Sequence, residues 1–200
     1  FLRNNLLQGE SEVTPGLYIS PLVTKYNTND YIYYGEIPVI IIEASVPLVD
    51  KDRPFMYTIQ NAFDGDPATS YVEDTKDNLM EIDIKFPSYS HYDKMQLLSG
   101  YADTKKLFMD NNRIKTFYLG IDYKNPNKSD DAKYYSEMLH KTIPDTMAMQ
   151  VVSFLRLPIK AFLFSVEQVY KGDRYNDTCL AEIDFYSQEN GWVFGGTNER

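Results

Sequence analysis

Three oxygen-bearing side chains, Asp64, Asp66 and Thr69, fall within one short stretch, Asn61–Tyr71 (NAFDGDPATSY), around a Gly-Pro turn. Hard cations such as Ca²⁺ take six to eight oxygen ligands, and a tight turn lets side chains and carbonyls converge on one point. A second segment lies far downstream, Ala181–Tyr186 (AEIDFY), and its Glu182 supplies a carboxylate that could complete such a cage. The turn is not an EF-hand: counted from Asp64, the sixth and twelfth places hold Thr69 and Thr75 instead of Gly and Glu. An Asx turn with solvated carboxylates is the competing reading of the same residues.

Ligand contacts are expected from Tyr170–Asp177, reading YKGDRYND, with a polar turn between two strands as the competing reading. Tyr170 and Tyr175 offer flat faces that stack on sugar C–H surfaces. Lys171, Arg174, Asn176 and Asp177 offer hydrogen-bonding groups. Tyr101 and Arg113, with Asp103 and Asn112, form a second candidate, in which Asn112-Arg113 could instead staple loops together. His91 and His140, the only histidines, have no H-x-x-x-H or H-x-E context and are expected at the surface. No P-loop, G-x-S-x-G or dinucleotide fingerprint is present. Plentiful carboxylates single out no glycosidase pair. Cys179 reads as a small buried hydrophobe. Asn176-Asp177-Thr178 matches a glycosylation sequon.

These residues must be held by strands. Val39–Ile42 is a β-branched run expected as a buried strand. Met80–Phe86 alternates strictly, with Met80, Ile82, Ile84 and Phe86 on one face. Met95–Gly100, Ile114–Ile121 (Phe117, Leu119 and Ile121 on one face), Met147–Leu157, Lys160–Tyr170 (Phe162, Phe164 and Val166) and Leu180–Tyr186 (Ile183 and Phe185) follow, separated by turn clusters. Many short strands between turn signals indicate a β-sandwich. Gln60–Phe63 is expected to form one helical turn. Residues 1–35 read as an N-terminal extension too short for its own core, with Leu2, Leu6 and Leu7 suggesting a helix or packed arm. Residues 36–187 form the domain and 188–200 a tail.

The chain has 200 residues, 43% hydrophobic and 14% aromatic, with 17 Tyr and 1 Trp. That suffices for one domain with a real core. Acidic residues outnumber basic ones, 29 to 20, for a net charge of −9. Phosphate backbones and anionic membranes need neutralising cations, so neither nucleic acid nor a membrane surface is an expected partner. One cysteine permits no intrachain disulfide and no Cys-rich zinc cage. No apolar run reaches the roughly 18 residues of a membrane span.

Taken in order, several motifs resemble the discoidin, or coagulation-factor type C, family of jelly-roll sandwiches, which includes many bacterial carbohydrate-binding modules. They are Glu43-Ala44-Ser45, the N-A-F-D-G-D-x-x-T-x-aromatic turn, the E-I-D-I strand and the closing E-I-x-F-Y. The subgroup related to the glycan-binding or translocation domain of bacterial NAD glycohydrolases is a closer match. It is carried by Tyr71-Val72-Glu73, Ser99–Ala102, Asn111–Lys115 and Val169–Thr178, and the likeness spans roughly residues 43–186.

The resemblance implies an all-β jelly roll with a structural Ca²⁺. Its ligands would be Asp64, Asp66, Thr69 and Glu182, plus the carbonyls of Asn61 and Ala181. It also implies an exported, extracellular or cell-envelope binding module without catalysis, taking a glycan or, on the alternative reading, a cell-surface protein. The chain departs from the pattern twice, both near the expected ligand-facing loops: Tyr71 stands where Trp is usual, and the glycine-rich piece after Glu73 is shortened to Asp74–Leu79.

Overall fold

The computed structural model describes residues 17–21, 39–74, 80–124, 134–188 and 191–194. Among these, the strands are β1 (Leu17–Pro21), β2 (Val39–Ala44), β3 (Tyr71–Val72), β4 (Glu81–Ser99), β5 (Asn112–Lys124), β6 (Tyr134–Thr142), β7 (Gln150–Tyr170), β8 (Thr178–Ser187) and β9 (Gly191–Trp192). One short helix, α1 (Lys105–Asp110), and a 3-10 turn at Ile59–Phe63 complete the described elements.

One hydrogen-bonded network folds into two layers, because two long strands cross between them. β4 pairs with β7 along nearly its whole length, but the register shifts between Lys85 and Ser90 and again between Tyr92 and Lys94. Before the first shift β4 lies between β2 and β7, and β7 continues to β5 and β6. Beyond it, β4 lies between the first half of β7 and β8. β8 in turn carries β3 and β9. β1 extends the first layer by pairing antiparallel with β2, Leu17 opposite Glu43 and Pro21 opposite Val39.

The core sits between the layers. Ile82, Ile84 and Phe86 of β4, Phe117, Leu119 and Ile121 of β5, and Phe162, Phe164 and Val166 of β7 all point inward, as their alternation predicts. Phe162 of the first layer stacks on Phe185 of the second at a centroid distance of 4.2 Å and 14° between planes. A contact of this kind adds about 0.5–1.5 kcal/mol to the burial of each ring.

The structure corrects the strand list in three places. Met80–Phe86 and Met95–Gly100 are not separate strands, and neither are Met147–Leu157 and Lys160–Tyr170; each pair is one strand, 19 and 21 residues long. Pro87-Ser88-Tyr89-Ser90 reads as loop because the register shift falls there, with pairing to β7 resuming at Ser90 opposite Ile159. Val39–Ile42 is not buried throughout: β2 buries Ile40 and Ile42 and leaves Ile41 36% exposed, as the two faces of a strand alternate. Helical periodicity did not reveal α1, whose start is set by Thr104, the Oγ1 of which accepts the Leu107 N–H at 3.2 Å. Leu2, Leu6, Leu7 and the shortened piece at 75–79 lie outside the described residues.

Candidate functional site

The oxygen-rich turn is built by its own side chains. Asp64 Oδ1 accepts the Asp66 N–H at 2.8 Å, and Asp66 Oδ1 accepts the Ala68 N–H at 3.0 Å. Thr69 Oγ1 lies 2.9 Å from Asp64 Oδ2, 3.0 Å from the Asp66 carbonyl and 3.5 Å from the Asn61 carbonyl. Gly65 takes a positive φ of 76°, which lets the loop reverse without a Cβ clash. Asn61 anchors the loop by donating from Nδ2 to the carbonyls of Met56 (2.6 Å) and Ser70 (3.0 Å).

β8 brings Glu182 against this turn, where it is only 8% exposed. Burial and the neighbouring Asp64 push its carboxyl up to about 8; the Gly65 N–H opposes this, while Asp184 and Asp66 add to it. Its Oε1 is buried without a hydrogen-bond partner. Ala181 is buried beside it. Asn61, Asp64, Asp66, Thr69 and Glu182 are therefore brought together from opposite ends of the domain. Among the described residues no three His, Cys, Asp or Glu side chains are grouped so as to hold a metal by themselves. The Thr69 hydroxyl and backbone carbonyls would have to supply the remaining oxygens. An orphaned carboxylate oxygen beside two further carboxylates fits a cation.

A second cluster forms where β4 ends and β8 begins. Tyr57 and Tyr101 meet edge to face with ring centroids 6.4 Å apart. Tyr175 lies close enough to influence the Tyr57 hydroxyl electrostatically. Burial, chiefly, holds the Tyr57 hydroxyl above the ordinary tyrosine range; Arg53 opposes it and Asp50 reinforces it. Burial, then Tyr57 and Asp103, does the same for Tyr101. Arg174 lies over the Tyr175 ring at 4.9 Å, a cation–π contact at a residue still 40% exposed. Asp177 is shifted upward by burial and then by Asp74.

The loop bearing Tyr175 is fastened from beneath. Arg113 is 4% exposed. Its Nε and Nη2 donate to the two carboxylate oxygens of Asp145 at 3.0 and 2.7 Å, and Nη1 reaches the carbonyls of Asn111 and Lys171, both at 3.0 Å. Asn112 Oδ1 accepts the Gly172 N–H at 2.9 Å, and its Nδ2 donates to the Asn176 carbonyl at 2.7 Å. The Asp110 carbonyl accepts the N–H groups of Arg174 and Tyr175. Gly172 is required by this docking, since a Cβ there would stand 2.5 Å from the Asp110 carbonyl oxygen.

The sequence matches, over residues 32–186, the family described as the NAD glycohydrolase translocation F5/8 type C domain. The chain belongs to this family. Among solved structures, this F5/8 type C domain is similar to CpGH89CBM32-5 from Clostridium perfringens, determined in complex with GalNAc-β-1,3-galactose. The identity is 14%, the TM-score 0.51, and coverage 74% of this chain and 95% of that one. It is also similar to chitosan-binding module 1 of a chitosanase/glucanase from Paenibacillus sp. IK-5, at 12% identity, TM-score 0.50, and coverage of 73% and 93%. These likenesses establish the fold. No curated protein matches the sequence.

Several residues expected at the ligand site have other work in this F5/8 type C domain. Arg113 spends its donors on Asp145 and on carbonyls, so it staples loops and is not presented to a ligand. Tyr170 donates its hydroxyl to the Ile143 carbonyl at 3.0 Å, and Lys115 sits over its ring at 5.8 Å. Lys171 Nζ donates to Asn176 Oδ1 at 2.9 Å, tying two candidates to each other. Tyr71 does not face a ligand loop: it is fully buried, with its hydroxyl on the Ser45 carbonyl at 2.6 Å, and burial followed by Glu73 raises its pKa strongly. Tyr101, Tyr175 and Arg174 remain at the surface cluster, whereas Asp177 is half-buried and faces Asp74. Tyr57 and Arg53 join them from a loop that the sequence reading passed over. The available signal was Asp50, whose Oδ1 accepts the N–H groups of Asp52 and Arg53 at 2.9 Å each and so shapes the loop.

His91 and His140 are on the surface, the latter with Nε2 2.6 Å from Glu167 Oε2. Cys179 is buried, and burial drives its thiol pKa upward. No helix among the described residues is long and apolar enough to cross a membrane.

Proposed function

We propose that this domain is a non-catalytic binding module of an exported protein that recognises carbohydrate through the end of the sandwich carrying Tyr57, Tyr101 and Tyr175. One observation carries the reading: Tyr57 and Tyr101 meet edge to face from two loops and Tyr175 of a third acts on the Tyr57 hydroxyl, while a buried network built on Arg113 and Asn112 holds the Tyr175 loop in place. Rigid, partly exposed aromatic rings flanked by polar groups suit the alternating C–H and O–H faces of a sugar. Arg174, over the Tyr175 ring, and Arg53, acting on the Tyr57 hydroxyl, supply donors beside the rings. Of the two solved structures of similar fold, one was determined in complex with GalNAc-β-1,3-galactose and the other is a chitosan-binding module, an analogy of fold that supports the assignment. A shallow surface of this kind gives weak single-site affinity, so effective binding requires multivalent display.

The same proposal includes a structural Ca²⁺ at the oxygen-rich turn. Asp64, Asp66, Thr69 and Glu182, with the carbonyls of Asn61 and Ala181, would hold it, and it would neutralise carboxylates that otherwise repel one another. The support is the orphaned oxygen of Glu182, a side chain on which Asp64, Gly65 and Asp66 of the turn all act. The ion is given no part in bond making or breaking.

A second reading, a protein-interaction or adhesion module for a cell-surface protein, is favoured by Phe55. It is 82% exposed, two residues before Tyr57. Exposed aromatics are characteristic of protein interfaces. A glycan array probed with the multimerised domain and with its Tyr175→Ala variant tests the assignment. Retention of a defined saccharide set by the wild type and its loss in the variant supports glycan recognition. An empty array together with specific retention of a host surface protein favours the second reading.

A further inference from the structure

One side of the first layer ends on an open strand. β6 pairs with β5 over Tyr134–Thr142 in an unbroken one-to-one register, from Tyr134 opposite Lys124 to Thr142 opposite Thr116. Among the described residues nothing pairs with its other edge. Such an edge presents a row of backbone N–H and C=O groups that templates a further strand, and proteins blunt it with proline, a bulge or charge. β6 has no proline and no register shift. Its formal charges, Glu137 and Lys141, are of opposite sign.

The sequence of this strand is complementary to itself. In an antiparallel pairing centred on Leu139, Leu139 lies opposite its own copy, Met138 opposite His140, Glu137 opposite Lys141 and Ser136 opposite Thr142. By symmetry each unlike pair occurs twice. Opposite charges, hydroxyl pairs and apolar pairs directly across a ladder all stabilise it, and here no like charges meet. The faces agree as well. By register, Glu137, Leu139 and Lys141 belong to the face of Ile121, Leu119 and Phe117, whereas Met138 and His140 belong to that of Gly120 and Tyr118. An exposed apolar row runs out to the same edge: Leu163 lies opposite Gly120, and Gly120 opposite Met138, which is 64% exposed. Gly120 keeps the row low, since even a Cβ there would meet Leu163 Cβ at 3.3 Å. A second copy sets its Met138 diagonally across from this one, within reach of a long side chain, and so continues the row.

We propose that two copies of this domain join edge to edge through β6, antiparallel about a twofold axis at Leu139. The interface is isologous, each copy contributing the same strand, and the first layers of the two copies become one continuous sheet. Because the paired strands run in opposite directions, the copies carry their tyrosine surfaces at opposite ends of the joined sheet. The dimer is independent of what those surfaces bind.

The test is sedimentation equilibrium of the whole chain over a concentration series, with thermal unfolding to confirm that each variant is folded. The wild type is expected to be a dimer that dissociates on dilution. Glu137→Lys and Lys141→Glu each set like charges across the axis twice and should weaken dimerisation roughly tenfold or more. Glu137→Lys combined with Lys141→Glu restores opposite charges and should restore the dimer, which damage to the strand would not do. A monomer at every concentration would overturn the proposal. So would a dimer that neither single variant weakens, or single-variant losses that the combined variant fails to repair.

Discussion

Replacing Arg113 by Ala separates a structural role from a ligand-binding one, and the structure sets the size of the effect. The guanidinium is 4% exposed and doubly bonded to Asp145, with Nη1 also serving two carbonyls at 3.0 Å. Removing one partner of a fully buried pair costs about 3–5 kcal/mol. The Asp145 side chain is 32% exposed and can recover hydration, which lowers the figure. The carbonyls of Asn111 and Lys171 lose a donor, which adds to it. The expected loss is about 3 kcal/mol. For a chain of this size each kcal/mol moves the melting temperature by about 2–4 °C, so Arg113→Ala should melt roughly 6–12 °C lower. Urea unfolding of the wild type, Arg113→Ala, Asp145→Ala and the double variant isolates the pair. The coupling should be about 1–2 kcal/mol. Arg113→Lys should recover only part of the loss, because an ammonium cannot bond both carboxylate oxygens and the carbonyls in the same planar fork. A loss below about 1 kcal/mol, with ligand binding destroyed, would refute the staple and return Arg113 to the ligand surface.

Gly172→Ala should destabilise by about 1–3 kcal/mol and loosen the Arg174–Asp177 loop, since the new methyl meets backbone and not a movable side chain; thermal unfolding checks this. Excess Ca²⁺ should raise the melting temperature relative to EDTA by mass action, and Asp64→Ala or Glu182→Ala should remove the response. In EDTA, Glu182 with a pKa raised from 4.5 to about 8 binds more protons folded than unfolded between those values. Its favourable contribution is thus present below about pH 4.5 and lost as the pH rises through about 8. Comparing the stability profiles of wild type and Glu182→Gln should show this decline only in the wild type. Cys179, buried with a raised thiol pKa, should resist a thiol reagent in the native protein and react on unfolding.

The sandwich was legible because burial alternates where strands face a core. Met80, Ile82, Ile84 and Phe86, and later Phe162, Phe164 and Val166, announced their inward face by spacing alone. The crossover of β4 and β7 was not legible. Periodicity reports burial, and Pro87 to Ser90 lose their buried face where the register shifts, although the strand runs on through them. The oxygen-rich turn was visible as a local motif, and its meeting with Glu182 was suggested only by resemblance, since nothing in local sequence encodes a contact across more than a hundred residues. The tyrosine surface was half visible. Tyr101 and Tyr175 stood out by type, whereas Tyr57 comes from a loop shaped by Asp50 and tied to β3 through the Val72 N–H on the Tyr57 carbonyl, a contact that local sequence does not announce. Arg113 looked like a ligand group for the reason that it makes a good staple: a planar fork of donors serves either purpose, and only its burial decides.

The central claim is that sugar is read by Tyr57, Tyr101 and Tyr175. The most direct measurement is a titration of the domain, with tyrosine rings isotopically labelled, using the saccharide that gives the strongest array signal. The account predicts saturable shifts concentrated on these three rings, with the buried Tyr71 ring unmoved. Saturable binding that leaves all three rings unchanged would contradict it.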